Sequence, residues 1–414
     1  MDFEHSERAQ RYMDHVERFV RERIVPNEGT YLSQLVRTDD WQRWRIPSVM
    51  EDLKVQAKAA GLWNLFLPDD ERGAGLDNRD YAPLAEIMGR SFLAPEVFNC
   101  SAPDTGNAEV LVRYGSDAQK ARWLQPIVDG EVRSAFVMTE PHPGGGSDPS
   151  MISTTATRRG DAWVVHGRKW FITGAAAAAH FLLIARTGDD ARKGHTAFMF
   201  HRDQPGWTLV RRIPIMGPEE HGGHGELTFE GLTIPDENRL LGVGDGLKVA
   251  QIRLGPARLT HCMRWLGLAR RSLEIAGAYI AERMSGGRKL AERESVQLLM
   301  GDAALQVRIG RLLVMHAAAK LDAGAMARNE LSMAKVHVAD ALHKAVDTAI
   351  QLNGGRGYSK DTPLEWIYRY ARQARLVDGA SEVHRMVIAR HLAEDAEAFF
   401  DWNRLDRPKR SASA

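Results

Sequence analysis

The feature that most constrains this chain is a change of hydrophobic period in its second half. After "GVGDG" at 242–246, Leu266, Ala269, Leu273, Ala276 and Ile280 fall at i, i+3, i+7, i+10 and i+14. Side chains spaced this way share one face of a long α-helix. Leu305, Ile309 and Leu312 form a second stripe, and Val338, Leu342, Ala345 and Ala349 a third. The third should end at Gly354–Gly355, where a residue in the left-handed region closes a helix without steric cost. A fourth helix is expected from about Ser381. Long amphipathic helices joined by short breaks bury their stripes against one another, so the pattern predicts an antiparallel four-helix bundle.

Upstream the texture is different. "AWVVHGRKWFIT", "TAFMFH", "WTLVRRI" and "GELTFEGLTIP" are short, rich in β-branched and aromatic residues, and separated by Gly and Pro. They read as strands, with "EG" at 230–231 marking a turn. Before about residue 130 the pattern is helical again, broken by "PNEGT", "LPDDERGAGLDNRD" and "SAPDTG". The expected fold is therefore α+β, mostly α: an N-terminal helical domain (1–130), a central β domain (131–245), a C-terminal four-helix bundle (246–398) and a disordered tail (399–414).

Composition narrows the function classes. A formal net charge of +1 supplies no global field toward nucleic acid or a membrane surface. The most apolar run, "GAAAAAHFLLIA" at 174–185, contains a His and is too short to span a bilayer. Cys100 and Cys262 lie far apart, without metal-ligand spacing, and suit a reducing compartment. The polar start "MDFEHSERAQ" is unlike a targeting peptide. A cytoplasmic enzyme with no metal is the expectation.

Four stretches stand out: "FVMTEPHPGGGSD" (136–148), "RKWFITG" (168–174), "QLNGGRGYSKDTPLEW" (351–366) and "VDGASEVHR" (377–385). Each has an ordinary reading. The Gly run lacks the spacing of a phosphate cradle, Trp170 and Phe171 suit a core, and Gly354–Gly355 needs only to cap a helix. Asp378 before Gly379 reads first as turn chemistry. His221 and His224 have no metal-ligand spacing and read as loop residues, with a substrate contact the sharper alternative.

Taken together and in this order, the stretches resemble the acyl-CoA dehydrogenase family. The likeness runs from about residue 10 to 398. "IRLGPARLTHCMRWLGLA" (252–269) and "HGGHGEL" (221–227) resemble the branch of its members ten and eleven. The resemblance implies FAD bound between the β domain and the helical bundle. Phe136, Met138, Thr139 and Ser147 would follow the flavin, with the Thr139 hydroxyl on its pyrimidine edge. Phe171, Ile172 and Thr173 would pack behind the isoalloxazine, Thr173 reaching N5. Arg283 would meet the pyrophosphate, and Gln351, Asn353, Gly354 and Gly355 the adenosine end, both across a subunit interface. Ala380, Ser381 and Glu382 would lie on the flavin side. Physically, a diphosphate needs an Arg and backbone N–H donors, and a flavin ring needs a flat apolar backing.

The implied chemistry is α,β-dehydrogenation of an acyl-CoA. A carboxylate takes the α-proton while the β-hydrogen leaves as hydride to flavin N5, and electrons pass to an electron-transfer flavoprotein. A dry pocket strengthens such a base, and hydrogen bonds must stabilise the thioester oxygen. Counting without gaps from Gln351 places the family's base position at Asp378, where the usual residue is Glu. The alternative base position falls on Ala257, which carries no proton acceptor. Ser147, Arg258, Gly379 and Arg390 would contact the acyl-CoA. Two departures from the pattern are a longer loop, "PHPGGGSD", and Glu294 in place of a Gln, which should turn away from the diphosphate. The implied assembly is a homo-oligomer, a tetramer. Rival readings are a flavin oxidase of the same fold, nitroalkane oxidase-like, and a non-catalytic flavoprotein that binds DNA. Net charge +1 and only a short "RPKR" weigh against the last, so neither nucleic acid nor membrane insertion is expected.

Overall fold

A computed structural model describes residues 4–35, 44–146, 148–219 and 222–400. Helices α1 (Glu7–Phe19), α2 (Ser48–Ala59), α3 (Asn78–Gly89) and α4 (Asp104–Tyr114) precede the sheet. The sheet comprises β1 (Arg133–Val137), β2 (Thr155–Arg159), β3 (Ala162–Thr173), β4 (Ala178–Arg186), β5 (His195–His201), β6 (Trp207–Ile213), β7 (His224–Pro235) and β8 (Arg239–Leu240). Helix α5 (Gly246–Glu282) leads through a small hairpin, β9 (Met284–Ser285) and β10 (Arg288–Lys289), to α6 (Glu294–Asp322) and α7 (Arg328–Asn353). Helices α8 (Leu364–Ala371) and α9 (Ser381–Glu394) follow. The mostly helical α+β class read from the sequence is the one observed.

Backbone contacts divide the chain into two compact units. One comprises His15–Leu76 and Ser91–Ala257; the other Met1–Asp14, Asp77–Arg90 and Arg258–Ala414. In the first, the sheet runs in the order β6-β7-β3-β2-β4-β5-β8, with β1 beside β4 in parallel. Its core is the inward face of these strands, including Trp163, Val165, Phe181, Phe198, Phe200 and Phe229. The expected turn at 230–231 is absent, because β7 continues through it. Val165 pairs with Leu232 and His166 with Glu230, so Gly231, at φ +84, is the extra residue of a bulge. A glycine tolerates that left-handed backbone, and the strand bends without ending.

In the second unit, α7 buries the stripe expected of it: Val338, Leu342, Ala345 and Ala349 are each fully inaccessible. It ends at Asn353, with Gly354 at φ +58. Glycines set the spacing of α3 against α5. A Cβ at Gly267 would collide with the Glu86 carbonyl, and one at Gly89 with the Arg264 backbone. Helix α6 departs from expectation. Its buried face is Val296, Ala303, Val307, Gly310 and Val314, while Leu298, Leu305 and Leu312 are 62, 56 and 54% exposed. Those leucines are spaced by seven, a stripe on the solvent side of the helix. At the C-terminal end a short helix, Ala396–Phe400, carries regular structure past residue 398; Asp395 opens it by accepting from Ala398 N at 2.8 Å. Residues 401–414, the rest of the expected disordered tail, lie outside the described residues. Among the described residues no helix is long and apolar enough to cross a membrane.

Candidate active site

Asp378 and Gly379 form a tight break before α9, with φ +54 and +96. A non-glycine residue in the left-handed region costs roughly 1 kcal/mol, least for Asp and Asn, and persists only where its surroundings hold it. Here they do. Arg258 Nε donates to the Asp378 carbonyl at 2.9 Å, and His384 Nε2 lies 3.2 Å from the same oxygen. Lys335 Nζ donates to the Gly379 carbonyl at 2.7 Å. His384 Nδ1 in turn meets the Ser332 hydroxyl at 3.0 Å. Three helices, α5, α7 and α9, thus fix the two peptide planes of the turn.

The side chain of Asp378 has a different neighbour. Its Oδ2 is hydrogen-bonded to His261 Nδ1, one turn along α5 from Arg258, with both side chains largely buried at 15 and 18% exposure. The His261 ring stacks on Trp265, centroids 5.6 Å apart and planes 19° from parallel. Burial tunes the surrounding groups. It pushes Lys335 down to about 8 against the pull of Cys262 and Asp378, His384 down to about 4, and the Cys262 thiol up to about 12. His384 and Cys262 are therefore neutral at pH 7.

The other unit carries the "MTEP" and "RKWFITG" stretches side by side. Lys169 is fully buried in β3, donates to the Met138 carbonyl at 2.7 Å and lies 2.9 Å from Glu140 Oε1. Glu140 also accepts from Ser153 N, Ser153 Oγ and Thr154 N at 2.7–2.9 Å. Burial by itself would raise the Glu140 pKa, but Lys169 and these donors hold it down to about 2. The Gly-rich loop folds over this carboxylate, where a Cβ at Gly144 would collide with it. Trp170 N completes the arrangement by donating to the Thr139 carbonyl at 3.0 Å. The segment Phe136–Thr139 is thus clamped by its backbone, with Phe136, Met138 and Thr139 left half-buried.

Beyond Lys169 the ladder between β3 and β7 slips, and Phe171 takes φ +50 at the irregularity. Its ring is 43% exposed and meets Trp170 edge-on at 5.0 Å. Ile172 is 1% exposed and belongs to the core of the sheet. The Thr173 hydroxyl is 3.0 Å from His224 Nδ1. Phe136 has a cation above it: the Arg253 guanidinium carbon lies 4.1 Å from the ring centroid. Arg253 Nε donates to Asn107, which donates to the Ser134 hydroxyl, which donates to Asp104. A buried polar chain thus joins α4, β1 and the first part of α5.

The remaining expected residues are more dispersed. Arg283 is exposed just past α5. Gln351, Gly354 and Gly355 are exposed, while the Asn353 side chain is buried and donates to the Ala349 carbonyl at 2.9 Å. Ala380 is half-buried and Ser381 is 1% exposed. Glu382, its side chain 78% exposed, faces Arg385 at 3.8 Å. Arg390 is exposed on α9, and Glu294 is exposed at the first turn of α6. Ser147 and His221 lie outside the described residues.

Comparison with known proteins now fixes the family. The profiles for the acyl-CoA dehydrogenase N-terminal, middle and C-terminal domains match residues 6–131, 135–232 and 244–393. The chain belongs to the acyl-CoA dehydrogenase family. It is 40% identical over 403 residues to the probable acyl-CoA dehydrogenase FadE2 of Mycobacterium tuberculosis, covering 94% of this chain and 96% of that protein. It is 39% identical over 420 residues to acyl-CoA dehydrogenase family member 11 of Gallus gallus, covering 99% of this chain. The chain spans about half the length of such family member 11 relatives, 52% in that case. A putative acyl-CoA dehydrogenase from Mycobacterium abscessus superposes with a TM-score of 0.89 at 40% identity, over 94% of this chain and 99% of that one.

The cofactor of the family is FAD, and the residues present fit it. An exposed aromatic ring on a strand irregularity is a flat apolar surface for an isoalloxazine, and Thr173 beside it carries a hydroxyl donor. An exposed Arg283 suits a diphosphate. Four residues that the structure brings against the candidate site residues escaped sequence reasoning: His261, Lys335 and His384 at the Asp378 turn, and Arg253 over Phe136. Lys335 did leave a signal, being a lone charge between Leu331, Ala334 and Val338 on the buried face of α7. His261 and Trp265 left one too, as aromatic residues one turn apart and three and seven residues beyond Arg258.

Proposed function

We propose that this chain catalyses the FAD-dependent α,β-dehydrogenation of an acyl-CoA thioester, with Asp378 as the α-proton base. The observation that carries this reading is the Asp378 turn: a carboxylate on a left-handed backbone whose carbonyls are each gripped from a different helix. Such a turn holds the carboxylate in one place, and general-base catalysis needs placement before basicity. The fixed peptide planes likewise preset the direction of the turn's N–H groups toward a thioester oxygen, which must be met by donors as negative charge grows on it. Bound FAD would supply the acceptor for the β-hydrogen and its electron pair. Met138, Thr139, Phe171 and Thr173 would hold the flavin ring, while Arg283 and the exposed backbone at 354–355 would serve the FAD of a second copy. The leucine stripe Leu298, Leu305 and Leu312 supports a homo-oligomer, since an apolar line on an outer helix face favours burial. Two buried free thiols suit a reducing cytoplasm. The acceptor in this reading is an electron-transfer flavoprotein.

The test is anaerobic mixing of the yellow holoenzyme with a panel of acyl-CoAs, following loss of flavin absorbance. Bleaching is expected with at least one thioester, and Asp378→Asn should retain FAD while slowing it by ~10²–10⁴-fold. A protein that bleaches with no acyl-CoA, yet forms hydrogen peroxide rapidly with a nitroalkane, overturns the reading in favour of an oxidase. Asp378→Asn bleaching at the wild-type rate removes Asp378 from the base role.

A further inference from the structure

We propose that His261 is the positioning residue of the base, fixing which oxygen of Asp378 takes the α-proton; the inference rests on the base assignment above. Three observations carry it. First, the contact is between His261 Nδ1 and Asp378 Oδ2. An ionised carboxylate has no proton to give, so the nitrogen is the donor and Nδ1 carries a hydrogen. Second, the plane of the ring is held by a buried neighbour. The ring stacks nearly parallel on Trp265, 5.6 Å away, and Trp265 is itself 2% exposed. Third, the backbone of the turn is held by other groups: Arg258 and His384 at the Asp378 carbonyl, and Lys335 at the Gly379 carbonyl. Backbone and side chain are therefore fixed separately. With the backbone already held, His261 is left with the rotation of the carboxylate.

The chemistry balances without a proton moving through the imidazole. The α-C–H bond breaks, its proton bonds to the carboxylate of Asp378, and its electron pair enters the enolate of the thioester. His261 keeps its Nδ1 hydrogen throughout and donates first to a carboxylate, then to a carboxylic acid. What it supplies is orientation. A carboxylate turned out of line holds its oxygen about an ångström away from its productive position, and errors of that size cost ~10²-fold in rate. An aspartate needs such help more than a glutamate, because its shorter arm leaves less room to correct a wrong rotation. Arg258, Cys262, Lys335 and His384 also feel the charge of this carboxylate. The test is therefore made at one pH.

Asparagine and glutamine separate the two nitrogens of histidine: the Asn amide nitrogen falls near the place of Nδ1, the Gln amide nitrogen near Nε2. The probe is a 3-thia-acyl-CoA, which can lose its α-proton but has no β-hydrogen to transfer, so its enolate band reports the base step alone. In holoenzyme His261→Ala and His261→Gln, formation of the enolate band should slow ~10²-fold, with FAD content and dissociation constant for the analogue unchanged. His261→Asn should restore most of the rate. Equal rates in all three variants and wild type overturn the proposal, as does loss of FAD or analogue binding in step with the rate, which marks a purely structural role. Asp378→Asn is run alongside. If that variant still ionises the analogue at the wild-type rate, the base assignment fails. If it is inert while His261→Ala matches wild type, only the role of His261 fails.

Discussion

Replacing Lys335 with Met tests whether the Asp378 turn is held at the expense of global stability. Lys335 is fully buried, and burial holds its amine at about 8 instead of 10.5. That difference corresponds to roughly 3 kcal/mol against the ammonium form, of which the hydrogen bond to the Gly379 carbonyl returns about 1.5–3 kcal/mol. Methionine has similar length and no charge, so Lys335→Met should leave holoenzyme stability at pH 7 within about 1–2 kcal/mol of wild type. The pH dependence has a definite sign. An amine whose folded pKa lies below its unfolded value costs most below pH 8, and the cost fades as pH rises from 8 to 10.5. Wild-type stability should climb across that window. Lys169, also near 8, contributes to the same climb, so Lys335→Met should reduce it by about half. Meanwhile the Gly379 carbonyl loses its donor and the turn can relax, so flavin reduction should fall ~10–100-fold. Thermal unfolding of holoenzyme at pH 7 and 10, with stopped-flow reduction at pH 7, measures both. A variant destabilised by more than about 4 kcal/mol at pH 7, or one that keeps both the full climb and the wild-type rate, would refute this account of Lys335.

Lys169→Met should be far more damaging, because it leaves the Glu140 carboxylate buried without its cation; about 3–5 kcal/mol and much of the bound FAD should be lost, read by unfolding midpoint and by the flavin-to-protein absorbance ratio. The Glu140 pKa lies near 2, below its ordinary 4.5, so the stability it supplies is complete above pH 4.5 and disappears toward pH 2; Glu140→Gln should flatten that acid limb. His224→Ala should retain FAD and slow flavin reduction by about fivefold, the worth of one neutral hydrogen bond to Thr173, and an unchanged rate would leave His224 without a role there. Asp378→Glu should reduce flavin ~10–100-fold more slowly than wild type, because the arm lengthens by ~1.5 Å on a backbone already held.

The bundle was legible because helix periodicity reports burial directly, as the fully inaccessible 338–349 stripe of α7 shows. The same rule misled at α6, where Leu305 and Leu312 face outward and small residues such as Ala303 and Gly310 take the buried face. A helix packed closely against neighbours buries small side chains, and its large ones are left for another surface. At 230–231 a Gly after a polar residue looked like a turn, but a bulge uses the same left-handed glycine and keeps the strand going. The position of Asp378 could be counted from Gln351, since the two lie close together in the chain. Its partners could not be counted. Arg258 and His261 come from α5 and Lys335 from α7, over 40 residues away in sequence at the least. No local pattern records which distant helix supplies a donor to a turn.

The aspartate itself, unexpected against the family's glutamate, has a physical reason in this structure. At φ +54 the residue sits in the left-handed region, and Asp is among the non-glycine residues that accept it with least strain, because its short polar side chain can hydrogen-bond locally. The short arm then fixes the rest. It cannot extend far beyond the backbone, so the backbone must be placed accurately, and Arg258, His384 and Lys335 do this at the two carbonyls. It has one rotation about Cα–Cβ and one of the carboxylate to settle, and the His261 ring, itself held flat against Trp265, settles them at Oδ2. A glutamate would depend on these contacts differently, since its extra methylene displaces the carboxylate from the reach of His261 and adds a rotation that His261 does not set. If Asp378 is the base, the residues gathered around it form a dependent set: changing it to glutamate should relax the demand on His261, so that the loss caused by His261→Ala is smaller in the Asp378→Glu background than in wild type. Such coupling, measured as a double-mutant cycle on the rate of enolate formation, would be absent if His261 and Asp378 acted independently.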